Sequence, residues 1–154
     1  MDEYRQLPRE LDPARVAPDA ADARRREVWA DELGDLLASG RLEQGAAERA
    51  VARLVQVAVA DADHAVRESA LHAVGEGCAR HEIPYEVLVP LAVNVDAFAP
   101  QLLEYVLFSL SATHDRRALP PIEPFLAHPD PGVREEARLA VAELHASGSG
   151  SPPP

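Results

Sequence analysis

The chain has 154 residues, with 26 acids against 15 cations, all of them arginine, for a net charge of −11. That balance argues against a nucleic-acid groove and against docking on an anionic membrane, since both need a basic surface; it permits a partner with a basic surface. The apolar residues are mostly Ala, Leu and Val with few aromatics, which suits close-packed helices better than sheets and fits a single domain.

Residues 1–21 carry Pro8, Pro13 and Pro18 among acids and arginines and read as an irregular arm. A helix is expected over 22–38, with Trp29, Leu33, Leu36 and Leu37 on one face and Ser39-Gly40 ending it. Helices follow over about 42–60 and 64–80. The next, about 84–95, starts at Pro84 and should kink at Pro90, which lacks a backbone donor. Another spans about 97–112 and is the most apolar. A short one is expected at about 121–127, with Pro124 in its first turn. The last starts at Pro131 behind Asp130, a good N-cap, and ends near Ala146. The tail SGSGSPPP, 147–154, reads as flexible linker. The folded domain is thus expected over 22–146.

The last helix repeats earlier ones. Val133, Ala137, Ala140, Val141 and Leu144 form an apolar stripe at helical spacing. Moving back 67 residues lays Asp63, Val66, Arg67, Ala70, Ala73, Val74 and Gly77 on Asp130, Val133, Arg134, Ala137, Ala140, Val141 and Leu144. Asp96 lies 33 residues after Asp63 and 34 before Asp130, with Leu103, Val106, Leu107 and Leu110 on the same stripe. The preceding helices agree: Val55 and Ala58, Leu88 and Leu91, Ile122 and Phe125 stand at matching distances before each Asp. Paired helices at such a period are the signature of a solenoid. The expected fold is therefore all-α: an α-solenoid of about three helical hairpins, pinned by acidic caps at Asp63, Asp96 and Asp130, with 22–38 as an N-terminal capping helix.

The segments VRESALHAVG (66–75) and HPDPGVREEARLAVAEL (128–144) resemble HEAT repeats, most closely the short bacterial type also found in phycobilisome lyases. The resemblance covers roughly 45–146; the middle repeat departs from it, with Ala99-Pro100 in place of Val-Arg. It implies that Arg67 and Arg134 tie neighbouring repeats to aspartates. It also implies that the second helix of each hairpin lines a concave binding face. That face would carry Glu68, Leu71 and His72 from the first repeat. The second would add Gln101, Glu104, Tyr105 and Phe108, and the third Glu135, Arg138 and Leu139.

No catalytic constellation stands out. Cys78 and His81, three apart with His72 nearby, could meet a cation, but no second ligand pair supports a metal site. Cys78 has no oriented base, and no phosphate-cradling glycine loop occurs: Gly75 and Gly77 lie inside a helix, where close packing or a bend explains them. The carboxylate pairs read as caps and solvated surface. Neither a catalytic residue nor a metal or other cofactor is expected. A lone cysteine, no signal peptide and no membrane-length apolar run fit a cytoplasmic protein.

The function expected is a non-catalytic protein–protein interaction module, an adaptor or an inhibitor of the immunity type, binding a basic protein through an acidic face. Its contacts would be Glu68, His72, Gln101, Glu104, Tyr105, Phe108, Glu135 and Arg138. The alternative implied by the resemblance is a chromophore-handling enzyme of the phycobilisome-lyase type. A HEAT-like DNA-repair glycosylase is a third option, against which the charge counts.

Overall fold

A computed structural model describes residues 22–148; the arm at 1–21 and the last six residues lie outside the described residues. Among the described residues the fold is all-helical with no strand. Seven α-helices pack together: α1 (Ala23–Ala38), α2 (Gln44–Ala60), α3 (His64–Arg80), α4 (Tyr85–Val93), α5 (Pro100–Ala112), α6 (Leu119–Ile122) and α7 (Pro131–Gly148). Short 3-10 turns at Val95–Ala97, Arg116–Ala118 and Glu123–Ala127 join them. No helix among the described residues is long and apolar enough to cross a membrane.

The apolar stripe explains the packing. Val66, Ala70, Ala73, Val74 and Gly77 are buried on α3, and Val133, Ala137, Ala140 and Leu144 on α7, with Val141 half-buried. Val55, Ala58, Leu88, Leu91, Ile122 and Phe125 are buried opposite them. Burying these side chains supplies the main favourable term, about 1.5–3 kcal/mol for each large one.

Two layers result. In the first, α1 packs on α3, α3 on α5, and α5 on α7. These four helices run in the same direction. Arg26 near the start of α1 meets Asp61 just before α3, and Leu37 at its end meets Gly77 near the end of α3. Likewise His72 meets Tyr105 and Gly75 meets Phe108 between α3 and α5. The second layer holds α2 and α4, packed on each other, and the 119–127 segment; these lie against α3, α5 and α7. Since α3 has α1, α2 and α5 around it, it needs small residues. A Cβ on Gly34 of α1 would lie 3.1 Å from Ala73 Cβ, so glycine there is what allows α1 so close.

The helix ends follow local chemistry. Asp22, Asp63 and Asp130 each cap a helix: their carboxylates accept from the backbone N–H of Arg24 (2.9 Å), Val66 (3.1 Å) and Gly132 (2.8 Å). Such caps contribute about 1 kcal/mol each. Gly40 closes α1 with φ of +67°, a left-handed conformation that favours glycine.

Asp96 is not a cap, contrary to the sequence expectation. It sits in the bend before α5, in the 3-10 turn Val95–Ala97, and α5 starts three residues later behind Ala99, with Pro100 at its first position and no side-chain cap. Proline sets the register here, since its missing N–H and fixed φ suit the first helical position. The middle stripe survives the shift: Leu102, Leu103, Val106, Leu107 and Leu110 are all buried.

Prolines also reshape two further elements. Pro84 caps α4 from outside the helix, and α4 ends at Val93, three residues past Pro90. The Asn94 side chain donates to the Pro90 carbonyl at 2.7 Å. The 119–127 segment is one α turn flanked by 3-10 turns, starting earlier than expected, because Pro120, Pro121 and Pro124 remove three donors from any α ladder. At the other end α7 runs through Gly148, so Ser147 and Gly148, read from sequence as tail, are helical.

Arg67 and Arg134 direct their hydrogen bonds to carbonyls and not to aspartates, although the Arg67 charge helps lower the Asp61 carboxyl. Arg67 Nε donates to the Ala58 carbonyl at 2.9 Å, and its guanidinium lies 4.9 Å from the centre of the Phe98 ring. Arg134 Nη1 donates to the carbonyls of His128 (2.7 Å) and Pro129 (2.9 Å). Each arginine satisfies carbonyls of the turn or helix end just before its own helix, which a carboxylate would leave open.

Candidate functional site

The outer face of α3, α5 and α7 carries the residues singled out in the sequence. Glu68 and His72 are exposed on α3, Gln101, Glu104 and Phe108 on α5, and Glu135 and Arg138 on α7; Tyr105 is half-buried. Leu71, expected outward, is fully buried, because α3 has neighbours on three sides rather than two. Leu139 is 52% exposed and Phe108 41%.

Some of these residues meet. The rings of His72 and Tyr105 stand edge to face, 6.1 Å apart at 87°. The Phe108 ring covers Gly75, where an added Cβ would lie 3.7 Å from it. Arg138 chelates Glu135 through Nη2–Oε1 at 2.6 Å and Nε–Oε2 at 3.1 Å, so its charge is already matched. His64 stands 3.9 Å from Glu68, and His72 3.7 Å from Glu76. The Glu104 carboxylate reaches the first turn of α7: a Cβ on Gly132 would fall 2.5 Å from its Oε1. A helix N-terminus favours an anion there.

Below Tyr105 the face opens into a crevice of about 510 Å³. Cys78 and Ala79 of α3, Phe108, Ser111 and Ala112 of α5, and Glu136, Leu139, Ala140 and Glu143 of α7 line it, with His114 at one end. His114 takes φ of +56°, unusual for a side-chain-bearing residue. Its Nδ1 lies 2.8 Å from the Ser147 hydroxyl and 3.5 Å from Glu143 Oε1, which fastens the end of α5 to α7. Sequence reasoning missed Glu136, Glu143 and His114, since the repeat register was projected only onto the front halves of the helices.

Burial pushes the Glu136 carboxyl above its ordinary value, and the neighbouring charges of Glu104 and Glu135 add to the rise. Burial also pushes the Cys78 thiol up to about 12, against a smaller opposing effect of the Ser109 hydroxyl. At neutral pH Cys78 is therefore a thiol, not the thiolate that acts as a nucleophile. The Ser109 hydroxyl is fully buried beside the Cys78 thiol. His81 lies past the end of α3; burial lowers its pKa, while an interaction with the Leu37 backbone works the other way. Among the described residues no three His, Cys, Asp or Glu side chains converge on a point that could hold a metal ion.

The chain matches no protein-family model and no curated protein.

Proposed function

We propose that this chain is a short HEAT-type α-solenoid that works as a non-catalytic protein-interaction module, an adaptor or inhibitor, and binds a basic protein through the α3–α5–α7 face. The observation that carries this reading is the pairing of aromatic and acidic groups on one face. Tyr105 and Phe108 share this face with Glu68, Glu104 and Glu136, while Arg138 and Glu135 match each other's charge. Aromatic anchors are enriched at interface hot spots, and carboxylates around them would complement the charge of a basic partner. The like-directed helices and the repeated Asp caps at Asp63 and Asp130 support the solenoid reading. The net charge of −11 would speed encounter with a basic partner.

The test is affinity capture from native-cell extract with wild-type protein, Tyr105→Ala and Glu104→Arg. The expected result is one basic partner recovered by the wild type and lost or depleted with each variant. Recovery should also fall as salt rises, since exposed charges are screened. Unchanged recovery with both variants would remove this face from consideration.

A further inference from the structure

We propose that the crevice between α3, α5 and α7 seats a cationic amphipathic segment of another protein. One large apolar side chain would lie between Phe108 and Leu139, and arginines or lysines would face Glu136 and Glu143. This names the kind of partner for the face described above and rests on that reading.

Three independent features converge. The crevice, at about 510 Å³, has the size of a specific small site. Its walls are apolar at Ala79, Phe108, Leu139 and Ala140, and two of these, Phe108 and Leu139, are large side chains left open to solvent. Isolated exposed apolar residues are ordinary, but these two line one concavity, where a partner's apolar side chain could cover both.

The second feature is charge. The lining holds Glu136 and Glu143 and no arginine. Glu136 is half-buried beside Glu104 and Glu135, which raises its carboxyl, and a cation placed there would offset that cost. The third is helix direction. Because α3 and α5 run the same way, both end near the crevice; Arg80 already stands in the last turn of α3, whereas α5 has no basic residue in its last turn, so the uncompensated C-terminus is that of α5. Helix C-termini carry partial negative charge and attract cations.

Charge also disposes of the other occupants. The arm at 1–21 has five acids and three arginines, and a second copy would bring another −11. Neither complements an acidic crevice. The residues after α7, GSPPP among them, contain no large aliphatic or aromatic side chain.

The experiment uses the full chain and a labelled synthetic helical peptide of about 14 residues, four turns, with leucines on one face and arginines elsewhere. Two comparison peptides replace the leucines with serine or the arginines with glutamate. Fluorescence anisotropy is read for wild type, Leu139→Ser, Glu143→Arg and Glu32→Arg, the last an exposed position on α1 outside the crevice. The two crevice side chains are solvent-exposed, so the variants should fold, which circular dichroism checks. The leucine–arginine peptide should bind wild type and Glu32→Arg alike, and both crevice variants about tenfold or more weaker. Both comparison peptides should bind weakly.

Equal binding of the serine–arginine peptide would reduce the effect to bulk charge and overturn the proposal. So would equal affinity for the crevice variants, or no binding at about 1 mM peptide. If Tyr105→Ala abolishes partner capture while peptide binding ignores Leu139 and Glu143, the interaction reading stands and the crevice falls. If peptide binding needs Leu139 and Glu143 while capture ignores Tyr105 and Glu104, the crevice stands and the broader face falls.

Discussion

The guanidinium of Arg26 grips the carboxylate of Asp61 twice, Nε to Oδ2 at 2.7 Å and Nη2 to Oδ1 at 3.2 Å, with only 15% and 9% of the two side chains exposed. This pair fixes the start of α1 to the turn between α2 and α3. Asp61 also accepts from the Asp63 backbone N–H at 2.9 Å, so it shapes the turn that places the α3 cap.

Asp61→Asn should lower the melting temperature at neutral pH. The hydrogen bonds from Arg26 hold the Asp61 carboxyl below the usual carboxylate range. A depressed folded-state pKa contributes stability that is present above the unfolded value, about 3.9, and lost as pH falls through the folded one. Thermal melts from about pH 3 to 7 should therefore show a gap between wild type and variant that closes in acid. A gap that did not narrow at all below about pH 4 would mean the pair does not act through its charge.

Two glycines on α3, two residues apart, should respond in opposite senses to alanine. At Gly77 a Cβ would lie 2.6 Å from Val51 Cγ2, and Val51 is β-branched and fully buried, so it cannot yield cheaply. Gly77→Ala should cost about 1–3 kcal/mol in chemical denaturation. At Gly75 the nearest atoms are those of the Phe108 ring at 3.7 Å, an ordinary contact. Gly75→Ala should therefore be neutral or gain up to about 1 kcal/mol from helix propensity.

Glu136→Gln should stabilise the protein at neutral pH. Burial, with Glu104 and Glu135, raises the Glu136 carboxyl. A raised folded-state pKa gives stability that is full below the unfolded value and lost as pH rises through the folded one. The variant's advantage should thus be clear at pH 7 and vanish near about pH 4. A constant offset across that range would point to packing rather than ionisation.

His81 should make stability fall on mild acidification. Burial lowers its pKa, so its contribution is present above the ordinary histidine value, about 6.5, and is lost as pH drops through the folded value. His81→Gln should flatten the decline between about pH 7 and 5, a window separate from that of Asp61. Parallel curves for wild type and variant would show that His81 does not carry the decline.

What the sequence disclosed was local or periodic. The stripes on α3, α5 and α7 and the caps at Asp63 and Asp130 were readable because spacing and capping depend on neighbours a few residues away. Asp96 was misplaced because repeat spacing was weighed above Pro100, whose preference for the first helical position was in plain view. The Gly34–Ala73 contact and the Arg26–Asp61 pair join residues more than 30 apart, and no periodicity announces them. Leu71 failed for the same reason: a two-sided projection could not foresee a third neighbour.

That third neighbour has a further effect. Among the described residues α1 leans almost wholly on α3 and barely on α2. Any loosening of α3 sets α1 adrift, whereas α7, at the far end of the row, would keep its hold on α5. Unfolding should start near the amino-terminal side and spread asymmetrically, so amide protons of α1 would exchange in step with those of α3 instead of with its sequence neighbour.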